Sequence, residues 1–452
     1  MWTLAEACAA AGGRLLGADA IFRSVGTDSR RDCRGQLFVA LRGERFDGHD
    51  HVPQALAQGA AAALVDRPLD LPIAQWLVED TRLGLGRLAA AWRARFAGRV
   101  AAVTGSNGKT TVKEMLAAIL AQAGRVRATQ GNLNNEIGMP LTLLAARDED
   151  FLVLEMGANH AGEIAYMTGI GRPQVALITN AGRAHLEGFG SLEGVARAKG
   201  EIAQGLPPDG VFAVPGDSPF TPLWRELAGG RTLCTFALDA PADLVAHSDA
   251  IAVEWDDTGF RTRFVAHTPA GALELELRLA GVHNVRNALA AAAAALALGV
   301  DAAAVRAGLA TLTPVPGRLC PRQAAGVRLI DDTYNANPDS LAAAIAVLTA
   351  LPGRHWLVLG DLGELGPQAL DLHREAGERA RAAGIERLAS VGTLSAAASA
   401  AFGPGAHHFA DRTALVEHLR GALGSDETVL VKGSRAARME QIVKALTGEA
   451  EV

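Results

Sequence analysis

The stretch that decides the fold is residues 102–111, which read Ala102-Val103-Thr104-Gly105-Ser106-Asn107-Gly108-Lys109-Thr110-Thr111. The apolar run Val100–Thr104 leads into it and is typical of a buried strand, whereas Thr111–Ala123 carries its apolar residues at helical spacing. Glycines let backbone N–H groups close around phosphate oxygens, and the N-terminus of the following helix adds partial positive charge. The stretch therefore predicts a strand, a phosphate-binding loop and a helix in succession.

The glycines of this loop are closer together than in the general phosphate-binding pattern. Two residues separate Gly105 from Gly108, where the general pattern has four. We expect Lys109 to neutralise the β- and γ-phosphates and Thr110 to coordinate Mg²⁺. A plain glycine turn between strand and helix is the alternative. The residues predicted to bind the nucleotide here are Gly105, Ser106, Asn107, Gly108, Lys109, Thr110 and Thr111.

The rest of the chain alternates short apolar runs with helix-length segments. Phe151–Glu155 and Val175–Thr179 continue the strand pattern, which favours a parallel sheet covered by helices on both faces. Thr313–Gly317 contains two prolines, which cannot continue a helix, and is the best linker candidate. The sequence predicts an α/β protein of three domains: a small mixed N-terminal domain (1–82), a central P-loop-type parallel-sheet domain (83–313) and a C-terminal Rossmann-like domain (314–452).

Within this plan some elements can be given limits. Leu273–Leu279 alternates and suggests antiparallel additions to the central sheet, and the alanine-rich Asn284–Leu298 reads as a helix. After the linker we expect a helix at Pro338–Leu348 and strands at Trp356–Leu359 and Arg387–Val391. Residues 211–280 as a whole carry no chemical motif.

Composition and charge exclude several classes of protein. The chain has 452 residues, 49% hydrophobic and 20% charged, which is typical of folded domains. A net charge of −6 without a long basic run argues against a nucleic-acid partner. The most apolar stretch, Ala288–Leu298, is too short to span a bilayer, and Met1–Ala20 lacks the pattern of a signal peptide. The four cysteines are far apart, so we expect a reducing cytoplasm and no disulfide framework or zinc site.

Lysine is rare in this arginine-rich chain. Of 43 basic residues only five are lysines, namely Lys109, Lys113, Lys199, Lys432 and Lys444. A chain that defaults to arginine can retain lysine where a compact charge or a primary amine is needed. Chance is the alternative explanation.

Polar residues follow the predicted strands of the central domain. Glu155 ends one strand, and His185 follows the next. Because ligand sites in open α/β sheets gather at the carboxyl ends of the strands, Glu155 is a candidate Mg²⁺ ligand beside the phosphate loop. A solvated strand end for Glu155, a loop histidine for His185 and a surface lysine for Lys199 are the alternatives.

Two further groups of loops are candidates for a site. Gly281–Asn287 opens the alanine-rich helix with amide side chains suited to adenine edges, although Asn284 could be only a helix cap. In the C-terminal half the loops Asp331–Pro338, Gly360–Leu365 and Val431–Arg435 all leave the carboxyl ends of predicted strands. These loops are therefore expected to share one edge that faces a cleft.

Together these segments closely resemble the Mur ligases of peptidoglycan synthesis, and the similarity covers nearly the whole chain. The spacing of the phosphate loop is common to the superfamily that includes folylpolyglutamate synthetase. Gly131–Gly138, Glu155–His160 and Asp331–Pro338 are more selective. They are most similar to the family member that joins D-Ala-D-Ala to UDP-N-acetylmuramoyl-tripeptide. Leu362 departs from the pattern, since methionine is expected there.

The resemblance implies a metal-dependent catalytic centre. It implies that Lys199 is carbamylated by CO₂, that the carbamate contacts Mg²⁺, and that Glu155 and His185 help to hold a second ion. Lys109, Lys199 and His185 are accordingly the catalytic candidates. The metal-binding candidates are Thr110, Glu155, His185 and Lys199.

The resemblance also implies contacts with nucleotide and substrate. Asn287 matches the adenine-binding Asn of the family, and Arg318 and Asp332 match residues that reach the nucleotide from the C-terminal domain. Ser29, Arg30, Phe46 and His49 lie in the segments that grip the UDP part of the substrate. The remaining substrate-binding candidates are Asn134, Asn135, Tyr334, Asn335 and Asn337.

The implied reaction uses ATP and two Mg²⁺ ions. The terminal carboxylate of the peptide attacks the γ-phosphate, and the amine of D-Ala-D-Ala attacks the resulting acyl phosphate. Because nucleotide contacts are divided between Lys109 and Arg318, we expect the C-terminal domain to close on the central one and exclude water. The expected form is a cytoplasmic monomer without a membrane or nucleic-acid partner.

Two rival functions can be weighed against this one. The first is another amino-acid-adding Mur ligase or a folylpolyglutamate synthetase; the UDP-type segment Thr27–His49 argues against the folate enzyme. The second is a nucleotide-binding regulatory protein without ligase activity. A degenerate relative would be expected to lose some of Lys109, Glu155, His185 and Lys199, all of which are present.

Overall fold

The computed structural model describes residues 2–183, 186–256, 259–324 and 326–449. Its strands form a small ribbon and three larger sheets of five, ten and six strands, which follow one another along the chain. This α/β architecture confirms the predicted fold class. The domain boundaries after residues 82 and 313 stay predictions.

The N-terminal part is built from short elements. They are β1 (Trp2–Thr3), α1 (Leu4–Ala11), β2 (Arg14–Leu16), β3 (Ile21–Phe22), β4 (Ser24–Gly26), β5 (Gln36–Val39), α2 (Val52–Ala57), β6 (Ala62–Val65) and β7 (Ala74–Leu77). The five-stranded sheet has the order β2-β7-β6-β5-β4 and is parallel except for β2 at its edge. Strands β1 and β3 pair separately as an antiparallel ribbon.

The central part alternates strands and helices and then adds an antiparallel extension. Its helices are α3 (Thr81–Arg93), α4 (Lys109–Leu120), α5 (Gly138–Ala145), α6 (Glu163–Gly171), α7 (Leu186–Phe189), α8 (Leu192–Gly200), α9 (Thr221–Leu227), α10 (Val282–Ala297) and α11 (Ala302–Thr311). Its strands are β8 (Arg99–Thr104), β9 (Val126–Ala128), β10 (Phe151–Glu155), β11 (Val175–Ile178), β12 (Val211–Pro215), β13 (Thr232–Leu238), β14 (Leu244–Ala246), β15 (Ala252–Asp256), β16 (Gly259–Thr268) and β17 (Gly271–Leu277).

The order of the central strands creates the crevice for a ligand. The sheet runs β9-β10-β8-β11-β12-β13-β14-β16-β15, with β17 also paired to β16. Strands β9 to β14 are parallel, and β14, β15 and β17 each pair with β16 in the antiparallel sense. From β8 the chain runs toward β9 on one side, and the later connection from β10 passes to β11 on the other side of β8. A crevice therefore opens at the carboxyl end of β8.

The cores explain why these segments fold as they do. All five residues of β10 are buried, as expected for a parallel strand covered on both faces. Helix α10 packs on α4. Its residues from Ala288 to Ala295 are all buried, and Leu289 is the only one of them that is not alanine. Small side chains on this helix allow close contact with its neighbours.

The C-terminal part is a second α/β unit. Its elements are β18 (Cys320–Ala324), β19 (Val327–Asp332), α12 (Pro338–Thr349), β20 (Arg354–Gly360), α13 (Ala369–Ala382), β21 (Arg387–Val391), α14 (Ser395–Phe402), β22 (Ala406–Phe409), α15 (Arg412–Ala422), β23 (Glu427–Lys432) and α16 (Glu440–Thr447). The sheet order is β18-β19-β23-β20-β21-β22, and only the edge strand β18 is antiparallel to its neighbour. The loops after β19, β20 and β23 therefore leave one edge, as predicted.

Most predicted elements are present with small shifts at their ends. The strands at Phe151–Glu155 and Arg387–Val391 are confirmed with the predicted limits. The helix predicted to start at Thr111 begins at Lys109, so the lysine of the glycine loop is already helical. Residues 312–319, which include the predicted linker Thr313–Gly317, join α11 to β18 without helix or strand. In the described part of the chain no helix is long and apolar enough to cross a membrane.

Candidate active site

A cavity of about 870 Å³ lies between the carboxyl edge of the central sheet and the C-terminal unit. The phosphate loop, the loops after β19 and β20, and the end of β23 contribute to its wall. Of the residues predicted from the sequence, those that line it are Ser106, Asn107, Gly108, Lys109, Thr110, Thr111, Asn134, Asn135, Glu155, Asn287, Arg318, Asp332, Tyr334, Asn335 and Asn337. The cavity thus brings together residues that are more than 200 positions apart in the chain.

The two glycines of the phosphate loop are required by its geometry. Gly105 has φ +147° and Gly108 has φ +79°, both in the region that favours glycine. A Cβ atom at Gly105 would overlap the Thr179 hydroxyl, and one at Gly108 would lie 2.6 Å from Oδ1 of Asn287. Gly108 is the N-cap of α4, so the helix N-terminus points at the place that a phosphate would occupy.

The lysine of the loop lies over its own backbone. Nζ of Lys109 donates to the carbonyl oxygens of Gly105 at 2.7 Å and Ser106 at 3.2 Å. Burial lowers the pKa of Lys109, and nearby Arg318 lowers it further, while Glu155 opposes the shift. The neighbouring positive charges of Lys109 and Arg318 are suited to an anionic ligand that lies between them.

Glu155 and Thr110 form a pair beside the loop. The Thr110 hydroxyl donates to Oε1 of Glu155 at 3.3 Å, and Nδ2 of Asn134 donates to the same oxygen at 2.8 Å. Oε2 of Glu155 is buried without a hydrogen-bond partner. A buried carboxylate oxygen next to a hydroxyl is the type of ligand that Mg²⁺ prefers, so these residues fit the predicted metal.

Lys199 lies in an almost fully buried environment. Its side chain is 1% exposed, and its Nζ has no hydrogen-bond partner. Nζ lies 5.1 Å from the centre of the Phe189 ring. Burial, assisted by the charge of Lys109, lowers the pKa of the Lys199 amine to about 7. Lys199 does not itself line the cavity, but an unprotonated amine fits addition of CO₂.

Arg318 connects the C-terminal unit to the Thr110–Glu155 pair. Its Nη2 donates to the Thr110 hydroxyl at 3.1 Å, and its guanidinium carbon lies 4.3 Å from the centre of the Tyr334 ring. Nε of Arg318 is buried without a partner. The planar guanidinium is therefore fixed by stacking and leaves a donor for a ligand.

The start of α10 forms another wall of the cavity. Nδ2 of Asn287 donates to Oδ1 of Asn284 at 3.1 Å, and Nδ2 of Asn284 donates to the Ala280 carbonyl at 2.8 Å. Asn284 thus orients the side chain of Asn287, and it also lies in the first turn of α10. His283 lines the same wall, and burial lowers its pKa to about 4, so it is neutral at neutral pH. The sequence stretch contained His283 without indicating a role for it.

Asp332 is held by two partners within the C-terminal unit. Its Oδ2 accepts from Nζ of Lys432 at 2.5 Å, and its Oδ1 accepts from the Leu319 N–H at 3.1 Å. Lys432 is 2% exposed and also donates to the Asn335 carbonyl at 3.1 Å. The pair joins the loops after β19 and β23, and the sequence could not reveal it because 100 residues separate the partners.

The predicted UDP-binding residues do not reach this cavity. The Ser29 hydroxyl donates to Oε1 of Gln54 at 2.8 Å, Arg30 pairs with Asp28, and Phe46 is 58% exposed. These three lie on the N-terminal unit away from the phosphate loop.

His49 has a structural role that the sequence did not indicate. Its Nδ1 lies 2.6 Å from Oδ1 of Asp47, and its Nε2 accepts from the Asp66 N–H at 3.1 Å. The side chain is buried, so both ring nitrogens are already used. A contact between His49 and substrate through a ring nitrogen would require the loss of one of these bonds.

His185, a predicted catalytic and metal-binding residue, lies outside the described residues. Within the described ranges, no group of three or more His, Cys, Asp or Glu side chains is placed to hold a metal ion. A site here would therefore depend on Thr110, Glu155 and Lys199 together with ligand oxygens. These assignments stay predictions.

The fold and the cavity define a nucleotide-dependent enzyme of three units, and family models identify the class. The matching models are described as "Mur ligase family, catalytic domain" over residues 21–122, "Mur ligase middle domain" over 103–295, and "Mur ligase, glutamate ligase domain" over 317–435. The chain belongs to the Mur ligase family.

Three individual Mur ligases are similar to this chain along nearly all of its length. The UDP-N-acetylmuramoyl-tripeptide–D-alanyl-D-alanine ligase of Escherichia coli is 49% identical over 98% of both chains. A crystal structure of MurF from Acinetobacter baumannii has a TM-score of 0.92, with 38% identity and 99% of both chains covered. MurF from Thermotoga maritima in complex with ADP has a TM-score of 0.84 and 31% identity, covering 94% of this chain and 97% of its own.

Proposed function

We propose that this chain is an ATP-dependent ligase that joins D-Ala-D-Ala to UDP-N-acetylmuramoyl-tripeptide in peptidoglycan precursor synthesis. The observation that carries the proposal is the cavity that Lys109 and Arg318, from different units, both line. The 49% identity to the E. coli ligase along 98% of the chain supports this substrate pair over other Mur reactions. It also disfavours a regulator without ligase activity.

The reaction begins with phosphoryl transfer. The terminal carboxylate of the tripeptide attacks the γ-phosphorus of ATP, the bond to the β,γ-bridging oxygen breaks, and ADP leaves. Lys109 and Arg318 place positive charge beside the phosphate oxygens, and the N-terminus of α4 supports the same charge. The product is an acyl phosphate on the tripeptide.

Aminolysis completes the reaction. The amine of D-Ala-D-Ala, after loss of its ammonium proton, attacks the acyl carbon, and inorganic phosphate leaves from the tetrahedral intermediate. Water would compete as a nucleophile, so the site must be closed. The contact of Arg318 with Thr110 spans the two units and supports closure by the C-terminal one.

We assign the two Mg²⁺ ions to Thr110, Glu155, His185 and the modified Lys199, with Glu155 and His185 helping to hold the second ion. The buried, unpartnered Oε2 of Glu155 and Nζ of Lys199 support this assignment. Bound Mg²⁺ supplies positive charge to the phosphate oxygens. Addition of CO₂ to the neutral amine of Lys199 gives a carbamate and releases one proton, which converts an unpartnered amine into an oxygen donor.

We also propose a cytoplasmic monomer. All four cysteines are free, which fits a reducing compartment, and both ATP and UDP-linked precursors are expected there. Light scattering on the purified protein tests the monomer, since a dimer would double the measured mass.

The experiment that tests the function is ATP-dependent phosphate release with UDP-N-acetylmuramoyl-tripeptide. We expect release with D-Ala-D-Ala and none above background with single amino acids. Tripeptide substrates ending in diaminopimelate or lysine are compared, because the sequence does not distinguish them. If phosphate release instead requires meso-diaminopimelate together with UDP-N-acetylmuramoyl-dipeptide, and D-Ala-D-Ala gives none, the chain is the Mur ligase that adds diaminopimelate.

A further inference from the structure

Side chains of the central and C-terminal units meet in a set of contacts that we call the closure seam. It consists of Asn107 and Arg183 from the central unit and Asn337, Asp339 and Glu375 from the C-terminal one. Nδ2 of Asn337 donates to Oδ1 of Asn107 at 2.8 Å. The Arg183 N–H donates to Oδ2 of Asp339 at 2.7 Å, and Nε of Arg183 donates to Oδ1 at 3.2 Å.

The charges of the seam are complementary across the two units. Nη1 of Arg183 lies 3.6 Å from Oε1 of Glu375, in addition to its bonds with Asp339. Both carboxylates come from the C-terminal unit, and the guanidinium comes from the central one. Arg183, Asp339 and Glu375 are each about one third exposed, so solvent and salt can reach the pair.

The central side of the seam is attached to the phosphate loop. The Ser106 hydroxyl donates to the Gly182 carbonyl at 3.1 Å, and the Gly182 N–H donates back to the same hydroxyl at 2.9 Å. The Asn107 N–H donates to Oδ1 of Asn180 at 2.9 Å. Residues 180 and 182 are therefore hydrogen-bonded directly to the phosphate loop.

The approach of the two units at the seam is close. A Cβ atom on Gly182 would lie 2.7 Å from Oδ2 of Asp339, so any larger residue there would push the carboxylate away. On the other side Asn337 caps α12, because its Oδ1 accepts from the Ser340 N–H at 2.9 Å. The cap fixes the first turn of α12, which carries Asp339.

We infer that Arg183 and Asp339 are a positioning pair that forms when the C-terminal unit closes and aligns the phosphate loop with Arg318 for phosphoryl transfer. The inference rests on the ligase function proposed above. In an open arrangement Arg183 loses its contacts with Asp339 and Glu375, and the phosphate loop loses its contact with Asn337. Asp339 also lines the cavity, and the role inferred for the pair is to position the phosphate loop through residues 180–183.

A charge-swap cycle tests the pair in the full-length protein. The variants are Arg183→Glu, Asp339→Arg and the double variant, and the readout is kcat for phosphate release dependent on D-Ala-D-Ala. We expect each single variant to lose about tenfold or more in kcat, because a charge-assisted bond is replaced by repulsion. The double variant should regain part of that loss on a logarithmic scale, since Glu375 still opposes a negative charge at position 183. Losses that simply multiply in the double variant would overturn the inference.

A second measurement separates closure from a general structural effect. Small-angle scattering with a non-hydrolysable ATP analogue and the tripeptide substrate should show compaction of the wild type, and less compaction of both single variants. Asp339→Asn keeps the size of the side chain and an acceptor oxygen, so its loss should be smaller than that of Asp339→Arg. Full compaction and wild-type kcat in Asp339→Arg would refute the pair.

The matched control is a swap at Asp371 and Arg374, which pair at 2.7 Å on the surface of α13 within one unit. We expect no change in kcat or compaction from it. Failure of the proposed function is seen separately, because the wild type would then release no phosphate with D-Ala-D-Ala. If the wild type turns over normally and the losses of the two single variants simply multiply, the positioning pair is refuted and the proposed ligase function stands.

Discussion

At the residue scale, Lys199 has the environment that is most difficult to explain without a ligand. A buried amine with no partner is unfavourable unless it is neutral or becomes modified. We predict that Lys199→Ala lowers phosphate release by at least about a hundredfold, because an oxygen donor to the metal is lost. Formate or acetate should restore part of the activity, since a small carboxylate can occupy the vacated space. Lys444→Ala, outside the cavity, should remain active, and full activity of Lys199→Ala would refute the carbamate.

The pKa of Lys199 leads to a prediction about pH. CO₂ adds only to the unprotonated amine, and a pKa of about 7 means that this form becomes dominant as the pH rises through 7. After removal of CO₂, reactivation at constant dissolved CO₂ should speed up about fivefold from pH 6 to pH 7 and change little above pH 8. A lysine with its ordinary pKa would instead keep accelerating through pH 9. Such behaviour would show that burial does not lower the pKa.

Single residues also show how far the sequence could lead. Lys109 and Thr110 could be predicted because the spacing of one local loop specifies both. The bond from Arg318 to Thr110 could not, since 208 residues separate the two and only the packed units bring them together. The rarity of lysine was a useful signal, because Lys113, Lys199 and Lys432 are all nearly fully buried.

At the element scale, the antiparallel extension β15–β17 gives a structural role to part of residues 211–280, which carry no chemical motif. Phe260 on β16 is 2% exposed and belongs to the core of the C-terminal unit, and its ring lies 4.6 Å from that of Trp255. Arg328 of β19 lies 5.8 Å from the Trp255 ring centre. The extension of the central sheet therefore supports the C-terminal unit.

This support predicts a large effect of Phe260→Ala on stability. Removal of a buried aromatic ring leaves a cavity, and we expect a loss of about 3 kcal/mol in the free energy of unfolding. Urea unfolding followed by fluorescence measures it. Val253→Ala on the neighbouring strand, where the side chain is 39% exposed, should change the free energy by no more than about 0.5 kcal/mol. Equal effects of the two variants would mean that Phe260 is not part of the contact.

Elements were predicted well where the pattern was long and less well where it was short. Helix α10 is an alanine-rich segment of 16 residues, and strand β10 is a continuous apolar run, so both stand out in the sequence. Strands such as β1 and β3 contain two residues each, and their pairing depends on tertiary contacts. The extension β15–β17 also depends on such contacts, so the sequence suggested antiparallel pairing there without its partner.

At the scale of the whole molecule, the nucleotide is expected to join the two large units, and Arg318 makes this measurable. A ligand that binds only the native state raises the free energy of unfolding, by about 2.7 kcal/mol at a hundred times its Kd. If Arg318 contributes to binding from the C-terminal unit, Arg318→Ala should raise the Kd about tenfold and reduce that gain by about 1.4 kcal/mol. Arg318→Lys should lose nearly as much, because an ammonium cannot stack on Tyr334 and bond Thr110 in the same plane.

The measurement is the shift in unfolding midpoint caused by a non-hydrolysable ATP analogue with Mg²⁺. Lys109→Ala should also reduce the shift in unfolding midpoint, since it removes the cation that the central unit contributes to the cavity. Arg374→Ala, on the exposed face of α13, serves as the control and should shift like the wild type. An unchanged shift in Arg318→Ala, with a reduced shift in Lys109→Ala, would mean that the nucleotide is held by the central unit alone. Closure would then have to be driven by the closure seam and the peptide substrate instead of by ATP.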